Sequence, residues 1–161
     1  MRRRHLIGAI GLPIAGAVVL VITLWPTQVD SAYGPELAWL IDLLRDRGLS
    51  WHEAYGLLEF TANIVMFVPL GFFAGLLLAG RRILRGARGV FGAFGLPLAI
   101  VLVSAAIEGA QLLFLPERVP SLLDVLANSL GGWIGLGLAA LIPSPAAASA
   151  PSEASDISTS R

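Results

Sequence analysis

The chain has no cysteine, which excludes a disulfide framework, a thiolate metal site and a thiol nucleophile, and leaves the redox compartment unmarked. Charge is scarce as well. Only 14% of the 161 residues are charged, and they sum to a formal net charge of zero. Nucleic-acid binding needs a basic face, and this composition offers no such surplus. Histidine contributes two residues, and no Ser–His pair stands at a spacing useful for nucleophilic catalysis. His52 is isolated and is assigned no role.

What remains is apolar. Hydrophobic residues make up 56% of the chain, beyond the usual share for a soluble domain. Crossing ~30 Å of hydrocarbon takes about 20 helical residues. Four runs meet that length: 6–24, 57–79, 90–115 and 122–142. The expected fold is therefore all-α, a four-helix transmembrane bundle forming one domain over residues 1–142. Residues 143–161 are rich in Ala, Ser and Pro, too polar to bury a core, and are expected to be a disordered tail.

The charges order the spans. Arg2, Arg3 and Arg4 precede the first run, and Arg81, Arg82, Arg85 and Arg88 separate the second from the third. The segment from Trp25 to Trp51 holds only Arg45 and Arg47 against Asp30, Glu36, Asp42 and Asp46. Positive charge is retained in the cytoplasm, so both termini are expected there, in a multi-pass protein of the cell (inner) membrane. Reading residues 1–30 as a cleaved signal peptide is the alternative. The 6–24 run is longer than a signal core, no good small-x-small cleavage site follows, and an uncleaved anchor is favoured.

Within the outer connection, Leu37, Leu40, Ile41 and Leu44 share one helical face while Asp42, Arg45 and Asp46 fall on the other. Pro35 suits a first helical position and Gly48 a C-terminal cap. This spacing predicts a short extracytoplasmic amphipathic helix. It would lie on the membrane with Trp25, Trp39 and Trp51 at headgroup depth, or cover the bundle as a lid. Ser50 and Glu53 form a capping-box pair that starts the next helix early. Pro69 should bend that helix. Gly71/Gly75 and Gly131/Gly135 permit close helix approach.

Polar residues interrupt three of the apolar runs at helical spacing: Glu59/Asn63, Ser104/Glu108/Gln111 and Asp124/Asn128. Each set shares a face of its helix. An acid inside hydrocarbon costs on the order of 3 kcal/mol or more unless it meets a partner or water. Counting from the midpoint of each run, Asn63, Glu108 and Asn128 lie roughly 6–9 Å outward, and Glu59, Gln111 and Asp124 roughly 12–14 Å. Two layers at common depth on three helices point to one pocket facing the outer leaflet. Each residue also has a plainer role to play. Asp124 follows Ser121 at capping-box spacing, Glu59 can mark the water boundary, and Asn63 and Asn128 can bond helix to helix. Glu108 resists such a role because apolar sequence continues on both sides of it.

These residues form a pattern with a relative. The string Glu59-x3-Asn63-x3-Phe67-x-Pro69-x-Gly71 resembles one signature of the VanZ-like family. Ser104-x3-Glu108-x2-Gln111, then Arg118, then Asp124-x3-Asn128-x2-Gly131-x3-Gly135, resembles the other. The first run, the amphipathic segment and the tail carry no such signature. The resemblance implies a small integral membrane protein of about four helices, in a family named for a teicoplanin resistance protein and associated with the cell envelope. It supplies no settled reaction and no cofactor. Where some members carry a further acid between Arg118 and Asp124, this chain has Val119, Pro120, Ser121, Leu122 and Leu123.

The function expected is recognition or modification of an envelope lipid or lipid-linked cell-wall precursor at the outer leaflet. Glu108, with Asp124 and Glu59, supplies the candidate acid–base groups. Asn63, Gln111, Asn128 and Ser104 would orient a headgroup, and Arg118 would meet a phosphate or carboxylate. Non-enzymatic binding of a lipid or of the antibiotic's lipophilic part needs the same residues without proton transfer. Transport is disfavoured because the cytoplasmic halves of the runs are apolar. A divalent cation on the hard oxygen ligands is a minor reading, and no metal site is assigned.

Overall fold

The computed structural model describes residues 2–25, 35–79, 89–116 and 121–142. Five α-helices occupy them: α1 (Arg2–Thr23), α2 (Pro35–Arg45), α3 (Trp51–Ala79), α4 (Gly89–Phe114) and α5 (Leu122–Leu141), with no strand among the described residues. Four of the five, α1, α3, α4 and α5, are long and apolar enough to cross a membrane. This is a multi-pass membrane protein. The basic 80–88 loop and the 143–161 tail lie outside the described residues, as does Arg118.

The helix ends follow their local chemistry. α2 opens on Pro35, whose missing N–H is no loss in a first turn. It closes on Gly48 at φ +96, a left-handed conformation that costs glycine nothing. There the Leu49 N–H reaches the Leu44 carbonyl at 3.4 Å and the Gly48 N–H the Arg45 carbonyl at 2.9 Å, the paired bonds of a Schellman stop. The predicted apolar face turns inward around buried Ile41, and α2 packs on the first turns of α3. Trp39 on its other side is exposed. α3 begins one residue after Ser50, whose backbone N–H donates to Glu53 Oε2 at 2.8 Å while Ser50 Oγ accepts from the Glu53 N–H at 3.3 Å. That reciprocal pair satisfies two free donors of the first turn. At 29 residues, about 43 Å long, α3 exceeds the hydrocarbon thickness.

α3 and α5 run parallel and form the tightest pair. A Cβ on Gly71 would overlap the Gly132 carbonyl, one on Gly131 the Ile64 carbonyl, and one on Gly135 the Val68 carbonyl. Both predicted glycine pairs thus serve one seam, where backbone meets backbone. α1 lies antiparallel on the far side of α3. Its Gly8 faces the Leu77 backbone and its Gly11 the Phe73 ring. α4 lies antiparallel beside α5, with Gly132 against Ile100. α1 and α4 touch little. They approach through Val19 and Ile107, which enclose a fully buried Phe67 from α3, with Met66 and Leu70 beside them. Pro13, Pro69 and Pro97 each stand inside a helix, where a proline removes one backbone bond. The Trp133 indole N–H donates to the Pro97 carbonyl at 3.2 Å, adding an α4–α5 link that no spacing rule reveals.

Candidate functional site

The buried polar side chains of α1, α4 and α5, with Asn63 of α3, gather toward the end of the bundle where α2 lies. Three bonds join three helices there. Asn63 of α3 donates its amide N–H to Asp124 Oδ1 of α5 at 2.7 Å. Asn128, one turn further along α5, donates through Nδ2 to Ser104 Oγ of α4 at 3.0 Å. Glu108, one turn from Ser104, accepts at Oε2 from the Ser121 backbone N–H at 3.2 Å. The four-residue spacings Asp124/Asn128 and Ser104/Glu108 keep each pair on one face, so the antiparallel α4 and α5 present their polar stripes to each other.

The start of α5 uses these groups in an unexpected way. Ser121 is the N-cap, its Oγ accepting from the Leu123 N–H at 3.1 Å. The sequence spacing expects Asp124 to complete a capping box by accepting the Ser121 N–H. Glu108 accepts that hydrogen bond instead, and Asp124 accepts from Asn63. An acid from a neighbouring helix has replaced the local one at the helix start.

Gln111 departs from the expected pocket. It is buried, and its Nε2 donates to the Thr23 backbone carbonyl at 2.8 Å, tying α4 to the last turn of α1. The carbonyls of a last turn have no intrahelical partner. Thr23 itself is buried, with Oγ1 bonded to the Val19 carbonyl at 2.8 Å. Asn63, expected in the deeper layer with Asn128, reaches across to Asp124 of the shallower one.

Glu59 lies one turn before Asn63 and is exposed. Glu59, Glu108 and Asp124 each take part in interactions beyond those described above. Among the described residues, no three His, Asp or Glu side chains come together as metal ligands. Ser129 is buried and satisfies itself on the Val125 carbonyl at 2.6 Å.

One polar atom at the base of this cluster lacks a partner. Asn128 is 2% exposed, and its Oδ1 accepts no hydrogen bond. Ser104, on its other side, is fully buried. Chemically the cluster offers carboxylate acceptors near its rim and amide and hydroxyl groups beneath, which suits orientation of a hydroxyl- or amine-bearing headgroup. Arg118 lies outside the described residues and the geometry neither adds nor removes it.

Neither the curated proteins nor the solved structures contain a match to this chain. A family model does match. It is described as VanZ/LLP1 and covers residues 14–143, reaching through the second half of α1 and all of α2, where the sequence carried no recognisable signature. The chain, a membrane protein with four candidate spans, belongs to the VanZ/LLP1 family.

Proposed function

We propose that the polar end of the bundle recognises the headgroup of an envelope lipid or of a lipid-linked cell-wall precursor at the outer leaflet, and through it contributes to glycopeptide (teicoplanin) resistance. The observation that carries this reading is one-sidedness. The interhelical side-chain bonds Asn63–Asp124, Asn128–Ser104 and Gln111–Thr23, and the Glu108–Ser121 bond, all lie in the α2 half of the bundle. Residues 70–79, 94–103 and 133–141 are apolar throughout. A through-path for transport would need polar groups in both halves. The arginine distribution supports placing the α2 end outside. Headgroups reach that depth from the bilayer itself.

Whether Glu108 also moves a proton turns on its titratable group. Glu108 Oε2 accepts from the Ser121 N–H, a service the amide oxygen of Gln can perform. Glu108→Gln therefore keeps the helix start and removes acid–base chemistry. The test is teicoplanin susceptibility of a sensitive host expressing the wild type, Glu108→Gln, or Asn63→Leu/Asp124→Leu. The expected outcome is raised tolerance with the wild type and its loss in the Leu pair at equal membrane levels. Retention in Glu108→Gln would assign the protein to binding alone, and loss would assign proton transfer. No tolerance from the wild type would overturn the resistance reading.

A further inference from the structure

The unpaired carbonyl of Asn128 identifies what the site lacks. In hydrocarbon a polar group without a partner is expensive, and nearly all buried ones are satisfied. Asn128 Oδ1 is not. Its amide nitrogen is occupied by Ser104 Oγ, and turning the amide over would strand a nitrogen with two protons in place of an oxygen with none. The missing group is therefore a hydrogen-bond donor. The atom lies about 9 Å in from the first residue of α5, at 1.5 Å per residue. Its only polar neighbour across helices is Ser104 among the bonds described. The Asn63–Asp124 pair lies one turn toward the rim, and Glu108 lies one turn beyond Ser104.

We infer that Asn128 Oδ1 is the acceptor reserved for a hydroxyl or ammonium donor of the bound headgroup, so that the site prefers lipids carrying such a donor over those with a fully alkylated, donor-free one. The inference rests on the headgroup-binding reading above and adds the ligand's chemistry. It also explains the choice of residue. A side chain that only joined α4 to α5 would be better served by packing, since replacing both members of a buried polar pair with apolar groups is close to neutral or stabilising. An acceptor kept empty costs stability in the unliganded protein and repays it on binding.

The test uses the full chain in nanodiscs of phosphatidylcholine, which has no headgroup donor, with or without added phosphatidylglycerol (hydroxyl) or phosphatidylethanolamine (ammonium). The wild type is compared with Ser104→Ala/Asn128→Leu. The expected result is a melting temperature raised by about 3 °C or more for the wild type in a donor lipid, with the double variant as stable as the wild type or more so in phosphatidylcholine and unmoved by the donor lipids. Free glycerol at matched hydroxyl concentration separates a lipid-borne donor from a soluble one. A double variant that melts well below the wild type in phosphatidylcholine, or that retains the full donor-lipid shift, would overturn the role of Asn128. If Asn63→Leu/Asp124→Leu abolishes the donor-lipid shift while the Asn128 variant keeps it, headgroup binding stands and only the acceptor assignment falls. No shift in the wild type from any donor overturns both.

Discussion

The two halves of this bundle are held together by different means. Away from α2, helices meet through absent side chains: Gly71 and Gly135 bring the α3 and α5 backbones into contact, Gly8 does the same for α1 against α3, and no side-chain polar bond among those described joins helices there apart from Trp133 to Pro97. Toward α2 the same helices meet through amides, hydroxyls and acids, at Asn63–Asp124, Asn128–Ser104 and Gln111–Thr23. The close-packed half needs nothing from solvent and offers nothing to a ligand. The polar half contributes some stability, because interhelical bonds in membranes average only ~0.6 kcal/mol and reach ~2, but it is far costlier to assemble than apolar packing. Its retention makes sense if those groups also serve a ligand.

The largest expected effect comes from filling the seam. Gly135→Leu places a side chain where the Val68 carbonyl stands, and overpacking of this kind costs about 1–3 kcal/mol or more. Loss of monodisperse protein in detergent chromatography is expected. Gly109 and Gly137 face open space, so Gly109→Ala and Gly137→Ala should leave the elution profile unchanged. Equal behaviour of all three would erase the distinction between seam and lipid-facing glycines.

Next come the interhelical bonds of the polar half. A double-mutant cycle on Asn63→Ala and Asp124→Ala, read from thermal melts in detergent, should return a coupling of about 0.6–2 kcal/mol. A coupling of zero would reduce the pair to two independent polar side chains. Gln111→Leu removes one bond to the Thr23 carbonyl and should cost about 1 kcal/mol, with faster proteolysis near the α1 end. Ser50→Ala should be the mildest, about 1 kcal/mol or less. Its capping box is exposed, and the change should fray the first turn of α3 in hydrogen exchange without altering headgroup binding.

Much of this was legible in the residues because local rules suffice for local features. Pro35, Gly48 and the Ser50/Glu53 pair mark helix ends by stereochemistry that does not depend on the rest of the fold, and all three act where expected. The small-xxx-small pairs likewise named their seam. The rest required partners that sequence does not display. Gln111 binds a backbone carbonyl, and every residue has one, so no pattern could select Thr23. Asp124 has a local use as a capping acid in the sequence, whereas in the fold Glu108 from α4 accepts the Ser121 N–H and Asp124 accepts from Asn63. Gly8, Gly11 and Gly132 contact other helices through register alone.

The absence of cysteine makes the central claim directly measurable. In the otherwise native chain, Asn63→Cys/Asp124→Cys and Ser104→Cys/Asn128→Cys place thiols where 2.7 Å and 3.0 Å side-chain bonds now stand, while Val65→Cys/Asp124→Cys pairs one of them with an exposed, outward-facing position. Treatment of native membranes with a short bifunctional thiol cross-linker, followed by peptide mass mapping, should join the first two pairs and not the third. Free thiols in the first two, or equal cross-linking in all three, would show that the polar side chains of α3, α4 and α5 do not meet.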